Sequence, residues 1–354
     1  MKIKIILTIL YIFFISIIAK AQHMDMMMMD RPDAYTPIGI MQDHCHGKGQ
    51  WMFSYRYMNM HMNGNMSGSN SMSTDDIFTE DNVMTIAKSM TMQMHMLDVM
   101  YAPSNRITLM AMGSYNEKKM DMALNPDMMM PMATSMRTNG IGDISLSGLF
   151  MLIDKHREML HAIVGVSIPT GSTDKQSGNP ANDMLGYPMQ MGSGTWDPLI
   201  GVAYMGQSDI LTWGAQVQYK FRFGHNHYDY RLGNELNSNA WLGVKVDKYL
   251  SFSGSLQYLS SGKIDNANPP LMYPAMPMPM PMFSSPYVNS NYSGGNQLNA
   301  GIGCNLYIPT GIFKNLHFGA EYDLPVYRYV NGIQMKNTGT FTVGVQYVIG
   351  KLSM

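Results

Sequence analysis

Charge is scarce in this chain. Only 14% of its 354 residues are Asp, Glu, Lys or Arg, and 24 basic against 25 acidic side chains leave a formal net charge of −1. That balance lacks the basic surface with which proteins neutralise nucleic-acid phosphates, so nucleic acid is not an expected partner. Cysteine is nearly absent: Cys45 and Cys304 cannot form a disulfide framework. Beyond residue 21 no apolar run approaches the roughly 20 residues that a transmembrane helix requires. A phosphate loop, a zinc-protease helix and a Cys-x-x-Cys pair are missing as well, so no local motif supports an enzyme.

The one long apolar run is at the start. Lys2 and Lys4 precede an apolar core from Ile5 to Ile18, and Ala19-Lys20-Ala21 places small residues where a signal peptidase reads them. Residues 1–21 therefore read as a cleaved signal peptide, followed by a Met/His-rich periplasmic segment over 22–49 and a barrel over 50–354.

What fills the remainder is a rhythm. Twelve alternating segments of about ten residues run from Gln50 to Gly350, joined by connections that are alternately short and long. In Ile210–Phe223, Leu211, Trp213, Ala215, Val217, Tyr219, Phe221 and Phe223 fall on one face, while Thr212, Gly214, Gln216, Gln218, Lys220 and Arg222 fall on the other. Period two over so long a stretch defines a strand with one apolar and one polar face. The first strand repeats it, with Trp51, Phe53, Tyr55 and Tyr57 outward against Met52, Ser54, Arg56 and Met58, and so does the last, with Phe341, Val343, Val345, Tyr347 and Ile349 outward. Further strands are expected at 90–101, 106–115, 142–152, 160–168, 196–205, 239–248, 250–260, 297–308 and 315–323. Long loops then fall at 62–89, 116–141, 169–195, 224–238, 261–296 and 324–338, all on one side. The fold class this implies is all-β: a transmembrane, antiparallel, up-and-down outer-membrane β-barrel of about twelve strands in the cell outer membrane. A soluble β-sandwich would scatter its loop lengths and hide its aromatic face.

Several phrases carry a resemblance: Tyr101-Ala102-Pro103-Ser104-Asn105-Arg106-Ile107-Thr108-Leu109, Gly140-Ile141-Gly142-Asp143-Ile144-Ser145-Leu146, Ile168-Pro169-Thr170-Gly171 with its echo Ile308-Pro309-Thr310-Gly311, and Gly192-Ser193-Gly194-Thr195-Trp196-Asp197. Together they resemble a family of Gram-negative outer-membrane "transporter" proteins named after a phenol-degradation meta-pathway, over most of residues 40–350. The resemblance implies import of aromatic or other hydrophobic compounds. A Met- and His-rich branch also resembles proteins placed with copper-handling genes. The quoted phrases are turn devices, so they speak for fold and location more than for substrate.

Methionine is the compositional outlier, at 41 residues. Its thioether is a soft ligand that selects Cu(I) or Ag(I), and short spacings let neighbours converge on one ion. Candidate metal ligands are Met24, Met26, Met27, Met28 and Met29 at the mature N-terminus, Met128, Met129 and Met130 in a second long loop that also holds Met120, Met122, Met132 and Met136, and Met276, Met278, Met280 and Met282 in a Met-Pro repeat. Asp43-His44-Cys45-His46 adds His44, Cys45 and His46; the alternative for this run is a polar segment plugging or capping the barrel mouth. Within strands methionine reads as adaptable apolar filler. Met90, Met92, Met94 and Met96 are expected to face lipid, and Met52, Met58, Met110 and Met112 the lumen. Candidate lumen residues are Arg56, His95, His161, Lys220, Arg222, Lys245, His317 and Glu321. The expected function is passage or capture of a small solute with Cu(I) as a possible bound ion; the alternatives are uptake of hydrophobic compounds and a non-transporting surface barrel. Outer-membrane lipid and the solute or metal ion are the expected partners.

Overall fold

The computed structural model describes residues 30–81, 83–126, 135–155, 157–176, 184–265 and 285–350. Its strands are β1 (Trp51–Gly68), β2 (Asn70–Met72), β3 (Thr85–Ser104), β4 (Ile107–Leu124), β5 (Ser135–Ile141), β6 (Ile144–Lys155), β7 (Glu158–Ile168), β8 (Asp197–Gln207), β9 (Leu211–Lys220), β10 (Glu235–Lys245), β11 (Leu250–Ser261), β12 (Gly295–Ile308) and β13 (Leu316–Ile349). Neighbours in sequence pair antiparallel in the order β13-β12-β11-β10-β9-β8-β7-β6-β4-β3-β1, and β1 pairs back to β13 to close the sheet. The short β2 and β5 pair with β1 and β4 outside this cycle. Closure gives every spanning backbone group a partner, which is the condition for crossing a bilayer with strands.

The last element, 34 residues long, is a folded-back pair. Its first part pairs with β12 from Leu316 to Val330 and its second with β1 from Ile333 to Ile349. The two parts meet again at the short-turn end, where the Val348 N–H approaches the Asn315 carbonyl at 3.4 Å. The reversal uses Gly332, at φ +64°, a left-handed conformation that glycine adopts without steric cost. Eleven elements close the cycle and β13 supplies two spans, so the wall is crossed twelve times, as the alternation predicts.

Burial follows the predicted faces. Along β1, Trp51, Phe53 and Tyr55 are exposed while Met52, Ser54 and Arg56 are buried; along β9, Thr212, Gly214 and Gln216 are buried against exposed Trp213, Ala215 and Val217. Exposed Leu97, Val164, Ile200, Leu242, Phe252, Ile302, Phe318 and Phe341 come from strands all around the wall. A continuous apolar exterior of this extent suits lipid and not water. It rules out the sandwich.

Two expectations are corrected. The segments 62–89, 116–141 and 324–338, read as long loops, are largely strand: β1, β3 and β4 run 18, 20 and 18 residues, against 10 to 11 in β7 to β10. About ten residues cross a membrane, so this side of the barrel stands roughly 25 Å taller along its strands. Hydropathy missed the extension because Asn59–Gly68 is rich in asparagine and glycine, which read as turn, and its pairing is interrupted by bulges between His61 and Asn65. The second correction concerns β3. Met96 pairs with the inward Arg56, and His95 with the outward Tyr57. Met90 and Met96 are buried in the lumen, so the Met90–Met96 row faces inward and His95 faces out.

Candidate functional site

The lumen is occupied by its own N-terminal segment. Residues 31–38, 40 and 42–46 are all buried, although none belongs to a spanning strand. This is the plugging alternative that Asp43-His44-Cys45-His46 left open: over residues 31–46 the segment lies inside the ring of strands.

Inward polar side chains hold the plug along its length. Arg31 pairs with Asp33 at 2.7 Å and donates to the carbonyls of Ser208 and Asp209 at 2.6 and 2.9 Å, in the short turn between β8 and β9. Thr212 donates to Asp33 (2.8 Å), Asn305 to the Tyr35 carbonyl (2.9 Å), and the Gly39 N–H donates to Glu321 (2.7 Å). The His46 N–H reaches Thr108 (2.9 Å), and the Lys48 N–H reaches Asn105 (2.7 Å). Each such bond contributes about 1 kcal/mol net, and most are buried, where an unmade partner costs more. Inward glycines leave the room: a Cβ on Gly344 or Gly319 would stand 3.1 or 2.9 Å from side-chain atoms of Ile38.

Gln42 is the hub. His161 Nε2 donates to its carbonyl at 2.9 Å, which leaves the Nδ1 of that ring without a partner, and Gln216 reaches the same carbonyl at 3.2 Å and that of Met41 at 2.8 Å. The Gln42 side chain donates to Ser147 (2.7 Å) and accepts from Gln218 (2.9 Å). Gln42 sits at φ +60°, which costs a non-glycine residue strain and is held only because neighbours on β6, β7 and β9 over-determine it. Nothing in the sequence marked this residue.

Beneath the hub, Thr36 donates to Asp43 at 2.8 Å and His44 Nδ1 stands 2.9 Å from the same oxygen. Burial pushes the Asp43 carboxyl up, but the charge and hydrogen bond of His44, the Thr36 hydroxyl and the Arg56 charge outweigh it and hold the group below the usual carboxylate range. Burial, with His44 beside it, lowers His46 to about 3, so that ring is neutral. Burial pushes the Cys45 thiol up to about 12 against a hydrogen bond from Thr108. Cys45 is therefore a thiol, packed in an apolar cluster with Ile40, Met52, Met100, Met110, Met151, Met159, Met205 and Trp241.

The other lumen candidates are placed as follows. Arg56 is buried and paired with Asp98. His161 and Glu321 hold the plug, and His317 stacks on Tyr35 at 4.0 Å with Nδ1 3.1 Å from Gln346. Arg222 pairs with Asp197 and, at 2.6 Å, with Glu235, which also meets Lys220 at 3.4 Å. Lys245 is half-buried near the short-turn end. His95 is the exception: it accepts or donates a 2.8 Å bond with the outward Tyr55 hydroxyl and packs on Tyr57. Met24, Met26 to Met29, Met128 to Met130, Met276, Met278, Met280 and Met282 lie outside the described residues, as do the signal peptide and Met132. Met120 and Met122 are not loop residues but inward on β4, packed with Met90, Met136 on β5, and Met189.

Among the described residues, two cavities lie above the plug. One, about 440 Å³, is lined at the outer ends of the tall strands by Met60, Met62, Met90, Met92, Met120 and Met335, with Tyr287 and Tyr292. The other, about 460 Å³, rests on Gly39, Met41 and Gln42 and is lined by Gln216, Gln218, Lys220, Arg222, Asn237 and Asn239. Tyr187 and Pro188 are a common wall. The turn that carries them is drawn inward by Lys118, whose ammonium donates to the carbonyls of Pro188 (2.8 Å) and Gln190 (2.6 Å), and by Thr138, which donates to that of Met189 (2.9 Å). The sequence placed this turn in a long outside loop.

Residues 106–268 match the family described as putative MetA-pathway of phenol degradation, which bears out the resemblance carried by the turn motifs, over a shorter stretch than they suggested. Among solved structures, an outer membrane channel from Pseudomonas putida F1 superposes with a TM-score of 0.60 at 11% identity, covering 88% of this chain and 99% of that one. The transport unit of the autotransporter AIDA-I from Escherichia coli gives 0.45 at 12% identity, over 87% and 93% of the two chains. No curated protein sequence matches. The first likeness is one of fold, and it agrees with the lipid-facing exterior in making this an outer-membrane barrel.

Proposed function

We propose that the barrel is a gated channel for a small, largely apolar solute, aromatic compounds being the class that best fits. The observation that carries this reading is the methionine- and tyrosine-lined cavity at the outer end. Its volume falls within the range of small-molecule sites, and its flexible thioethers adapt to varied apolar shapes. The polar cavity beyond it offers amide and cationic groups to a hydroxyl or carboxylate. A solute with an apolar body and one polar end meets both in turn. The matched family's phenol-degradation description and the likeness to a channel support the same class. The reading is of passage: inward His161, Thr212, Gln216, Asn305 and Glu321 are engaged in holding the plug, and the polar cavity above it is left to the solute.

Passage to the periplasm requires the plug to shift. Deleting residues 31–47 should convert a barrel of low conductance in planar bilayers into one of stable, high conductance, and uptake of phenol or benzoate into liposomes should rise with it. A deleted barrel that folds and stays closed to both ions and aromatics would overturn the channel reading.

A second reading, capture of a soft metal by the methionine-rich segments, is favoured by the inward row Met90–Met96 and the buried methionines of both lumen clusters. Replacing the four methionines of 276–282 with leucine should lower bound Cu(I) without unfolding the barrel; an unchanged stoichiometry removes that loop from the reading.

A further inference from the structure

Four buried histidine rings lie in and around the plug, and the two on the plug itself form a site of their own. The rings of His44 and His46 lie edge to face with centroids 4.8 Å apart, 72° between planes. Cys45, between them in sequence, points into the apolar cluster instead. They are 1% and 4% exposed, and among the described residues neither His44 Nε2 nor His46 Nε2 has a hydrogen-bond partner. Burying two imidazole nitrogens unpaired is costly unless something else meets them.

The surroundings specify what that is. Asp43 meets His44 at Nδ1, 2.9 Å away, and is itself held by Thr36 at 2.8 Å. A carboxylate on one imidazole nitrogen is the outer support found behind metal-ligating histidines, because it fixes the ring and makes the other nitrogen a better donor. No three His, Cys, Asp or Glu side chains converge among the described residues, so a zinc-like or harder divalent site with several such ligands is not built here. With metal–nitrogen bonds of about 2.0 Å, each ion–centroid arm is about 3 Å, so 4.8 Å between centroids bends the pair to about 105° at the ion, a geometry for a three- or four-coordinate soft ion with positions left for further donors and not for a linear two-coordinate one. The same floor carries Met52, Met100, Met110, Met151, Met159 and Met205, an inventory of soft donors.

We propose that His44 and His46 bind one soft monovalent cation, Cu(I) or its redox-inert counterpart Ag(I), through their Nε2 atoms at the floor of the lumen. The site deepens the soft-metal reading by placing an ion on the plug itself. It is separable from the loop methionines, because the two sets of residues are changed independently.

The test uses the full-length barrel folded in detergent and Cu(I) supplied anaerobically against a chromophoric Cu(I) chelator. The wild type should retain one ion that the His44→Gln/His46→Gln variant loses, while His95→Gln, on the outward face, retains it. X-ray absorption of wild type carrying one equivalent should show two nitrogen neighbours at about 2.0 Å. Equal retention by the double variant, or an absorption spectrum with sulfur alone around the ion, overturns the assignment. Heat-shifted electrophoretic mobility reports folding, and should the double variant not fold, the wild-type spectrum decides by itself. Loss of Cu(I) in the 276–282 leucine variant with this ion retained would separate the loop from the floor.

Discussion

The two ends of the lumen are built by one rule and come out opposite. At the floor, inward Thr108, Ser147, His161, Thr212, Gln216, Gln218, Asn305 and Glu321 each find a partner on the plug, and the space is filled. At the outer end, inward Met60, Met62, Met90, Met92 and Met120 line a cavity, and the infolded turn that Met90 and Met120 pack on, at Met189, leaves it open. Alternation decides only which residues point inward. Hydrogen-bonding capacity decides where the plug is fixed, because amides, hydroxyls and carboxylates immobilise a polar backbone and thioethers do not; beyond the plug's reach, polar Asn237 and Asn239 line open space as the outer methionines do.

The strongest way to break the contrast is at Arg56. Arg56→Ala leaves Asp98 buried and unpaired, which should cost about 3–5 kcal/mol, read as a lowered urea midpoint of the folded barrel in detergent. A shift under 1 kcal/mol would mean that water already reaches the floor. Next is Met120→Ala in the outer cluster. Its side chain is fully buried beside an existing cavity, so the loss should lie near the low end for such truncations, about 2 kcal/mol, and binding of an apolar fluorescent dye should rise. Dye binding that falls would show the cavity to be the wrong receptor. Gln42→Ala removes two side-chain hydrogen bonds and keeps the strained backbone, for about 1–3 kcal/mol, and should raise the frequency of openings in single-channel records while dye binding stays constant. The smallest effect is expected at His95→Phe. That ring belongs to neither end of the lumen, so stability should move by about 0.5 kcal/mol or less and conductance not at all. A conductance change there would return His95 to the interior.

The lessons of legibility follow the same line. Where hydropathy differs strongly between faces, as in β1, β9 and the end of β13, the sequence disclosed orientation residue by residue. In β3 it did not. Methionine on one face and Thr91, Gln93 and His95 on the other put the more apolar side outward by hydropathy, and the pairing of Met96 with Arg56 reversed it. Seven of the eight lumen candidates point inward because charge on an otherwise apolar strand has few other places to go. Gln42 and Lys118 escaped notice, since their roles rest on partners 105 and 70 residues away.

Alternation and turn spacing alone determined the class, the twelve crossings and, outside β3, the lipid-facing side, because each is a property of neighbouring residues in the chain. Tertiary structure decided the rest: that the lumen is plugged, which methionines line it, that Tyr187 and Pro188 divide two cavities, and that His44 and His46 stand together. An interior exists only once the first strand has paired with the last, and until then no residue has an inside to face.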